Sequence, residues 1–220
     1  RDDAQCTDAV TGLLPGLAPG TVVAVMATVT PDTIAALAAT CRAADVDLVD
    51  APVAGRGVAS IEDATMNVLV GGPDQVIERL QPVIARFGVL VATGPVGSAA
   101  VLKLAHNVMV YVGYQSVIEA LELARAAGVR DGLVEQVTRA SGTLSAQSKI
   151  FLDIYERRRQ GIGDAAEDQI MDISATLLDK DLGHALSVAA EHSIELPAAS
   201  AVRGRGRAVY VTDRGQAVRV

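Results

Sequence analysis

The stretch Gly94-Pro-Val-Gly-Ser-Ala-Ala-Val-Leu-Lys-Leu-Ala-His-Asn107 decides the fold, because it ends a series of short α/β elements and begins a long apolar helix. Between Gly97 and Ile118 that helix carries one formal charge, the ammonium of Lys103. Burial lowers the pKa of a lysine and makes its amine a usable base, whereas a lysine near a helix end also extends to water. The residues that share a helical face with this lysine are His106, Asn107, Val110 and Tyr114.

The composition is that of a globular protein without metal or nucleic-acid chemistry. Half of the 220 residues are hydrophobic and 20% are charged, and a net charge of -7 argues against a general nucleic-acid surface. Cys6 and Cys41 show neither metal-ligand spacing nor a disulfide framework, which favours a reducing compartment. The longest apolar run falls short of the ~20 residues that a membrane span requires. We therefore expect a cytoplasmic protein with no metal and no membrane partner.

The first half of the chain alternates between helices and β-branched runs. Thr21 to Val29 is a continuous apolar run of the kind found in strands that are buried on both faces. Such runs, alternating with helices of about a dozen residues, predict an α/β sheet that is parallel for the most part. The predicted strands are 21–29, 46–53, 65–70 and 89–92, and the predicted helices are 1–17, 31–44 and 73–86.

After Gly94 the pattern becomes entirely helical. The predicted helices are 98–127, about 131–141, about 145–159, about 168–191 and 197–210. The sequence therefore predicts an α/β domain followed by an all-α domain. We assign residues 1–94 to the remaining part of a doubly wound, Rossmann-type dinucleotide-binding domain and residues 95–220 to a helical domain for substrate binding and oligomerisation.

Three segments follow predicted strands and are candidates for ligand binding. They are residues 27–31, 50–56 and 94–97. In open α/β sheets, ligands bind beyond the carboxyl ends of the strands. Each segment alone is consistent with a plain connecting loop, but Lys103 follows the third within two turns of helix. We therefore expect the three segments to converge on one cleft.

Four blocks of the sequence resemble the β-hydroxyacid dehydrogenase family, which includes 3-hydroxyisobutyrate and 6-phosphogluconate dehydrogenases. The family has a Ser-Thr-Val-x-Pro segment, an Asp-Ala-Pro-Val-Ser-Gly-Gly loop, a glycine-rich signature with Lys-x-x-Asn-Asn, and a late Leu-x-Lys-Asp-Leu-Gly helix. The matching blocks here are residues 28–33, 50–55, 94–107 and 178–183. They occur in the family's order over residues 21–197.

The resemblance implies a role for each matched residue. Lys103 would be the catalytic acid/base, which takes the substrate hydroxyl proton as hydride leaves for a nicotinamide. Asn107 would hold the substrate hydroxyl or carboxylate. The loop at Ala54, Gly55 and Arg56 would offer backbone N–H groups to the substrate carboxylate.

The same resemblance implies the cofactor and the partners. Thr28 would contact NAD or NADP, and Lys180 would reach over the nicotinamide end. Without the resemblance, Lys180 is interpreted as an exposed lysine between two acids. A small hydroxy acid would be the substrate, and the helical domain would form a homo-oligomer.

The sequence departs from the family pattern at several positions. Ala54 replaces a serine, Arg56 replaces a glycine and Ala99 replaces the third glycine of the signature. His106 matches the 6-phosphogluconate type, but that enzyme's longer helical region is not found. We therefore expect a small substrate of the 3-hydroxyisobutyrate kind. The segment Arg203-Gly-Arg-Gly-Arg207 has no interpretation.

The family's opening Gly-x-Gly-x-x-Gly motif, which holds the pyrophosphate at a helix N-terminus, does not occur in the sequence. Three hypotheses follow: the numbered chain is a fragment, a partner supplies the missing part, or cofactor binding has been lost. The alternative to an NAD(P)-dependent dehydrogenase is thus a truncated, non-catalytic family member that acts as an oligomerisation or ligand-binding module.

Overall fold

The computed structural model describes residues 2–55 and 58–210. The chain divides into two compact units, Arg1–His106 and Asn107–Val220. This division lies inside a helix, twelve residues beyond the boundary predicted after residue 94. The functional roles assigned to the two predicted domains stay a prediction.

The first unit contains a five-stranded mixed sheet. Its strands are β1 (Val22–Val25), β2 (Asp47–Asp50), β3 (Val53–Ala54), β4 (Met66–Gly71) and β5 (Gly88–Gly94). β1 and β2 are parallel neighbours, β4 and β5 are parallel neighbours, and β4 pairs antiparallel with both β2 and β3. The second predicted strand, 46–53, is in fact two strands, since the chain leaves β2 after Asp50 and resumes pairing at Val53.

The antiparallel pairings correct the expectation of a mostly parallel sheet. The connection between β3 and β4 is eleven residues long and includes the short helix α3 (Val58–Glu62). A parallel crossover requires a dozen residues or more, so a connection of this length returns the chain beside β3 in the opposite direction. The β2–β4 pairing is limited to one residue pair, Asp50 and Gly71.

Three further helices belong to the first unit: α1 (Asp3–Leu13), α2 (Pro31–Arg42) and α4 (Asp74–Ile84). The Thr30 side chain caps α2 by accepting the N–H of Thr33, a common way to satisfy a first-turn donor. Ile34 and Leu37 of α2 pack with strand residues in one core cluster, and Val76 and Ile77 of α4 pack in another. The apolar faces of the helices thus cover the sheet, as the alternating pattern predicts.

The long helix α5 (Ser98–Ala126) begins in the first unit and ends in the second. The remaining helices are α6 (Leu133–Ala140), α7 (Ala146–Arg159), α8 (Ala165–Glu191) and α9 (Pro197–Tyr210). Residues 98–210 contain no strand, and the predicted fold class of an α/β part followed by an all-helical part is confirmed. No helix in the part of the chain that the structure describes is long and apolar enough to cross a membrane.

The core of the second unit is built around aromatic side chains. Tyr114 stacks on Phe151, with ring centroids 4.2 Å apart, and Tyr210 meets both rings edge to face. Aromatic pairs in these two geometries are favoured by the charge distribution of the rings. Leu178 and Leu182 of α8 lie in the same cluster and are fully buried. This packing fixes the rotation of α8 and therefore the direction of the polar residues between those leucines.

Candidate functional site

In the first unit, the carboxyl end of β2 is held against the beginning of α5. Asp50 is fully buried, and its Oδ1 accepts the backbone N–H of Gly97 at 2.8 Å. Its Oδ2 accepts the backbone N–H of Ala100, also at 2.8 Å. The first N–H groups of a helix lack partners within the helix, and a carboxylate is the side chain that satisfies them best. The end of β2 and the first turn of α5 are thus joined by two charge-assisted hydrogen bonds.

Glycines make room for this junction. A Cβ atom at Gly71 would lie 2.5 Å from Asp50 Oδ1 and 2.9 Å from Ser98 Oγ, so any larger residue would displace the carboxylate. Gly94 and Gly97 have φ angles of 124° and 93°, in the region that favours glycine. Gly94 and Gly97 therefore allow the turn into α5, and the predicted part of residues 94–97 in ligand binding stays a prediction.

Lys103 lies one turn beyond Ala100 and is partly buried. Its helical neighbours Ala99, Ala100 and Leu104 are buried, with at most 2% of their surface exposed. The lysine is therefore carried by a part of α5 that packs firmly into the first unit. Ala99, at the third glycine position of the family signature, is fully buried.

The other predicted residues of the first unit that the structure describes lie at or just beyond the ends of strands. Thr28 is partly buried and follows β1 by three residues. Ala54 is a buried residue of β3 that pairs with Asn67, and Gly55 follows it on the surface. A Cβ at Gly55 would lie 2.9 Å from Ser60 Cβ, so this position requires a glycine. Arg56 lies outside the residues that the structure describes.

In the second unit, a buried carboxylate joins two of the predicted residues. Asp181 of α8 is 4% exposed, and its Oδ2 accepts a hydrogen bond from Asn107 Nδ2 at 2.7 Å. The Tyr111 hydroxyl donates to the same oxygen at 3.1 Å. Lys180 Nζ lies 2.6 Å from Oδ1. Asn107 and Lys180 thus meet on one acid, although 73 residues separate them in the chain.

Burial determines the state of the tyrosine in this cluster. Desolvation raises the pKa of Tyr111, and the negative charge of Asp181 raises it further. The hydroxyl therefore stays protonated and donates to the carboxylate. The side chain of Lys180 is 15% exposed, so it is not the solvated lysine that its acidic neighbours alone would predict. Residues 2–55 and 58–210 contain no cluster of three acidic, histidine or cysteine side chains that could hold a metal ion.

Three residues that organise these contacts had no predicted role: Asp50, Tyr111 and Asp181. The sequence contains a signal for the two acids. Asp50 ends an apolar strand, and Asp181 lies between two leucines at helical positions that face a core. The predicted site residues divide between the units: Thr28, Ala54, Gly55 and Lys103 belong to the first, and Asn107 and Lys180 to the second. That they form one site stays a prediction.

Comparison with known proteins gives several relatives that match over most of this chain. An uncharacterized oxidoreductase of Mycobacterium tuberculosis is 29% identical over 202 residues, which are 90% of this chain and 68% of that protein. The NAD-dependent L-serine dehydrogenase of Pseudomonas aeruginosa is 30% identical over 193 residues, 86% of this chain and 63% of that protein. The chain thus spans about two thirds of these relatives.

A solved structure shows the same fold. The 3-hydroxyisobutyrate dehydrogenase of Salmonella typhimurium matches with a TM-score of 0.78 and 22% identity, over 99% of this chain and 75% of that one.

Two family models match the chain. The NAD-binding domain of 6-phosphogluconate dehydrogenase matches residues 1–113, and the NAD-binding domain of NADP-dependent 3-hydroxyisobutyrate dehydrogenase matches residues 97–217. Both models describe NAD-binding domains, in agreement with the predicted NAD or NADP cofactor. Since the two models together account for residues 1–217, the chain belongs to the β-hydroxyacid dehydrogenase family.

Proposed function

We propose that this chain is the catalytic part of an NAD- or NADP-dependent oxidoreductase that oxidises a small β-hydroxy acid, with Lys103 as the acid/base. The observation that carries the proposal is the buried Asp181 with its two partners, Asn107 at 2.7 Å and Lys180 at 2.6 Å. Burial of a charge raises the free energy of the folded state unless the charge is paired. The Asp181 carboxylate is paired with residues at two positions at which the family has functional residues. The family match supports the class of reaction.

In the proposed reaction a primary or secondary alcohol loses a hydride from its carbon and a proton from its hydroxyl group, each to a different acceptor. The carbon–hydrogen bond of the carbinol breaks, and a bound nicotinamide supplies the hydride acceptor. The neutral Lys103 amine takes the hydroxyl proton as the carbonyl forms, and the ammonium returns it in the reverse direction.

Asn107 would orient the substrate through its hydroxyl or its carboxylate. The amide nitrogen of Asn107 is turned toward Asp181, so its carbonyl oxygen points to the opposite side of the side chain as an acceptor. The amide nitrogen carries a second N–H, so Asn107 can accept from a substrate hydroxyl or donate to a substrate carboxylate. Both substrate groups that the resemblance allows for Asn107 stay in the proposal. Asp181 would fix the amide in that direction.

The residues of this chain fit one end of a dinucleotide better than the other. β1 and β2 are adjacent parallel strands, and Thr28 lies just beyond β1, where open α/β sheets bind cofactors. The sequence contains no Gly-x-Gly-x-x-Gly segment for the pyrophosphate. We therefore assign Thr28 and Lys180 to the nicotinamide side, and Gly55 with the neighbouring Arg56 to the substrate carboxylate.

The substrate class follows from the relatives. L-serine and 3-hydroxyisobutyrate, after which a relative and a family model are named, both have a hydroxymethyl group on the carbon that bears the carboxylate. We therefore propose a short acid with this arrangement, without a phosphate.

The test is a titration of the 220-residue chain with NADH and NADPH, followed by turnover assays. The chain has no tryptophan, so the fluorescence of the bound reduced nicotinamide is measured without interference. We expect micromolar binding of one dinucleotide, and turnover of L-serine or 3-hydroxyisobutyrate in preference to 6-phosphogluconate. A folded chain that binds neither dinucleotide up to millimolar concentration would contradict the proposal and favour a non-catalytic module.

A further inference from the structure

The side chain of Asp50 has an unusual position for a charged group. It is fully buried, and its hydrogen-bond partners are two backbone N–H groups, those of Gly97 and Ala100, rather than the side chain of a lysine or an arginine. A buried carboxylate is costly unless its oxygens are hydrogen-bonded, and here each oxygen accepts one bond of 2.8 Å. The charge is thus stabilised by the first turn of α5 and the positive end of its dipole.

Three strand ends and one helix converge on this carboxylate. Asp50 ends β2, Gly71 ends β4 opposite it, and Thr93 near the end of β5 shares a hydrogen bond of 2.7 Å with Ser98. A Cβ added at Gly71 would lie 2.5 Å from Asp50 Oδ1 and 2.9 Å from Ser98 Oγ, so the carboxylate occupies this place only because residue 71 is a glycine. The first turn of α5 is therefore fixed from the sheet as well as from its own loop, in which Pro95 O accepts the N–H of Ser98 at 3.0 Å.

Lys103 follows Ala100 by three residues, which is about one helical turn. Helical side chains lean toward the N-terminus of their helix, so the lysine lies over the turn that Asp50 holds. A rotation or fraying of that turn would move the amine directly. A displacement of ~1 Å of a catalytic group is enough to lower a rate by ~10²-fold.

We propose that Asp50 is a positioning residue, which fixes the first turn of α5 and through it the place of the Lys103 amine. The inference rests on the proposed function of Lys103. Asp50 does not touch the substrate in this proposal, because its two oxygens are engaged by backbone donors and its side chain is inaccessible. Its effect is therefore on the turnover number rather than on the binding of the cofactor.

The variant Asp50→Asn tests the proposal, because it keeps the shape of the side chain. The amide oxygen still accepts one backbone N–H, but the amide nitrogen now faces the other N–H as a second donor. The control is Asp47→Asn, a change of the same charge on the same strand. Asp47 is 42% exposed and pairs with Arg79 at 3.0 Å, away from α5.

Two readouts are expected to change in Asp50→Asn and not in Asp47→Asn. The backbone amide of Gly97 or Ala100 should exchange its hydrogen about 10-fold faster or more, since a charge-assisted bond is lost. At a temperature at which both variants are folded, kcat should fall about 10-fold or more, while the Kd of the cofactor changes less than about 3-fold. A merely structural role would lower the Tm and leave kcat of the folded protein unchanged.

A third readout does not depend on turnover. The chain has only three lysines, Lys103, Lys149 and Lys180, so their side-chain carbons are resolved by NMR of lysine-labelled protein. In the wild type we expect the amides of Gly97 and Ala100 to be protected from exchange. In Asp50→Asn we expect the Lys103 resonance to shift, with those of Lys149 and Lys180 unchanged.

Unprotected amides at Gly97 and Ala100 in the wild type would overturn the proposal, and so would a folded Asp50→Asn with wild-type kcat and an unshifted Lys103 resonance. The failure of the proposed function is recognised separately, by wild-type turnover in Lys103→Ala. In that case the amide exchange still decides whether Asp50 fixes the helix.

Discussion

Asn107 and Asp181 are 74 residues apart in the chain, yet their side chains meet at 2.7 Å in the second unit. The bond joins α5 to α8 and gives the asparagine a single amide orientation. Tyr111, one turn beyond Asn107, donates to the same carboxylate oxygen at 3.1 Å. One acid therefore sets the geometry of two residues on α5, and the cost of burying it is offset by these donors together with Lys180.

Replacement of this acid should lower the stability of the protein. Asp181→Asn removes the charge and leaves the donors of Asn107 and Tyr111 without a full acceptor, so we expect a loss of ~1–3 kcal/mol in the free energy of unfolding. The measurement is urea unfolding, with Asp179→Asn on the same helix as the control. Asp179 is 60% exposed and pairs with Arg203, so its loss should cost ~0–1 kcal/mol. Equal losses in the two variants would contradict a special role for Asp181.

Lys103→Ala should remove most of the turnover. The loss of a general acid/base typically lowers kcat by ~10²–10⁴-fold, and the cofactor should still bind because the lysine acts on the substrate hydroxyl. Lys149→Ala is the matched control, since Lys149 is a lysine of α7 that pairs with Asp153 and Glu135. Turnover by Lys103→Ala within a few-fold of the wild type would show that the catalytic assignment is wrong.

The four tyrosines should make the protein sensitive to alkaline pH. Desolvation by burial is the first cause that raises the pKa of each of them: Tyr111, Tyr114, Tyr155 and Tyr210. A pKa that is higher in the folded state than in the unfolded state stabilises the fold below the unfolded value, 10.0, and this contribution is lost as the pH rises above it.

The expected result is that the free energy of unfolding falls with increasing pH above about 10, and that tyrosinate absorbance appears only as the protein unfolds. In Tyr111→Phe the free energy of unfolding should fall less steeply with pH, because one of the four tyrosines with a raised pKa is absent. A tyrosinate signal from all four residues with a midpoint near 10 in the folded protein would contradict this prediction.

The order and type of most helices and strands could be predicted, because the signals for them lie in neighbouring residues. The helix predicted over 98–127 is α5, which occupies Ser98–Ala126, because a glycine turn precedes it and Gly128 follows it. The β-branched runs likewise predicted the strands, although they overestimated the lengths of β1 and β2. Periodicity and turn residues are properties of neighbouring positions, so a sequence contains them directly.

The contacts that organise the candidate site could not be predicted in the same way. Asp50 finds its partners 47 and 50 residues later, and nothing in its local sequence identifies them. Arg203 begins the segment 203–207, which had no interpretation. It lies in α9, the helix predicted over 197–210, and its Nε donates to Asp179 of α8 at 3.0 Å. Such partners are fixed by tertiary packing, which a linear pattern does not encode.

Gly97 should be intolerant of a side chain although space is available. Its φ of 93° is unfavourable for any residue with a Cβ, so Gly97→Ala should lower the free energy of unfolding by ~1–2 kcal/mol. Gly12 is the control, because it lies on an exposed part of α1 where an added Cβ would meet no atom within 4 Å. Gly12→Ala should raise stability by ~0.4–1 kcal/mol. Thermal unfolding of both variants measures the difference. An unchanged free energy of unfolding in Gly97→Ala would show that the turn accommodates an alanine and would contradict the prediction.

The predicted homo-oligomer has a testable surface on α5. Met109 and Leu123 are 78% and 73% exposed, and their spacing of fourteen residues places them on nearly the same side of the helix. Large apolar side chains that share one exposed face favour contact with a second protein surface. We expect light scattering to give at least twice the chain mass of 22.7 kDa, and Met109→Lys with Leu123→Glu to reduce it to one chain. Leu13→Glu, at a 55% exposed position of α1, should leave the mass unchanged. A wild-type protein that stays monomeric at high micromolar concentration would contradict the predicted homo-oligomer. Any dinucleotide binding would then not require a second copy of the chain.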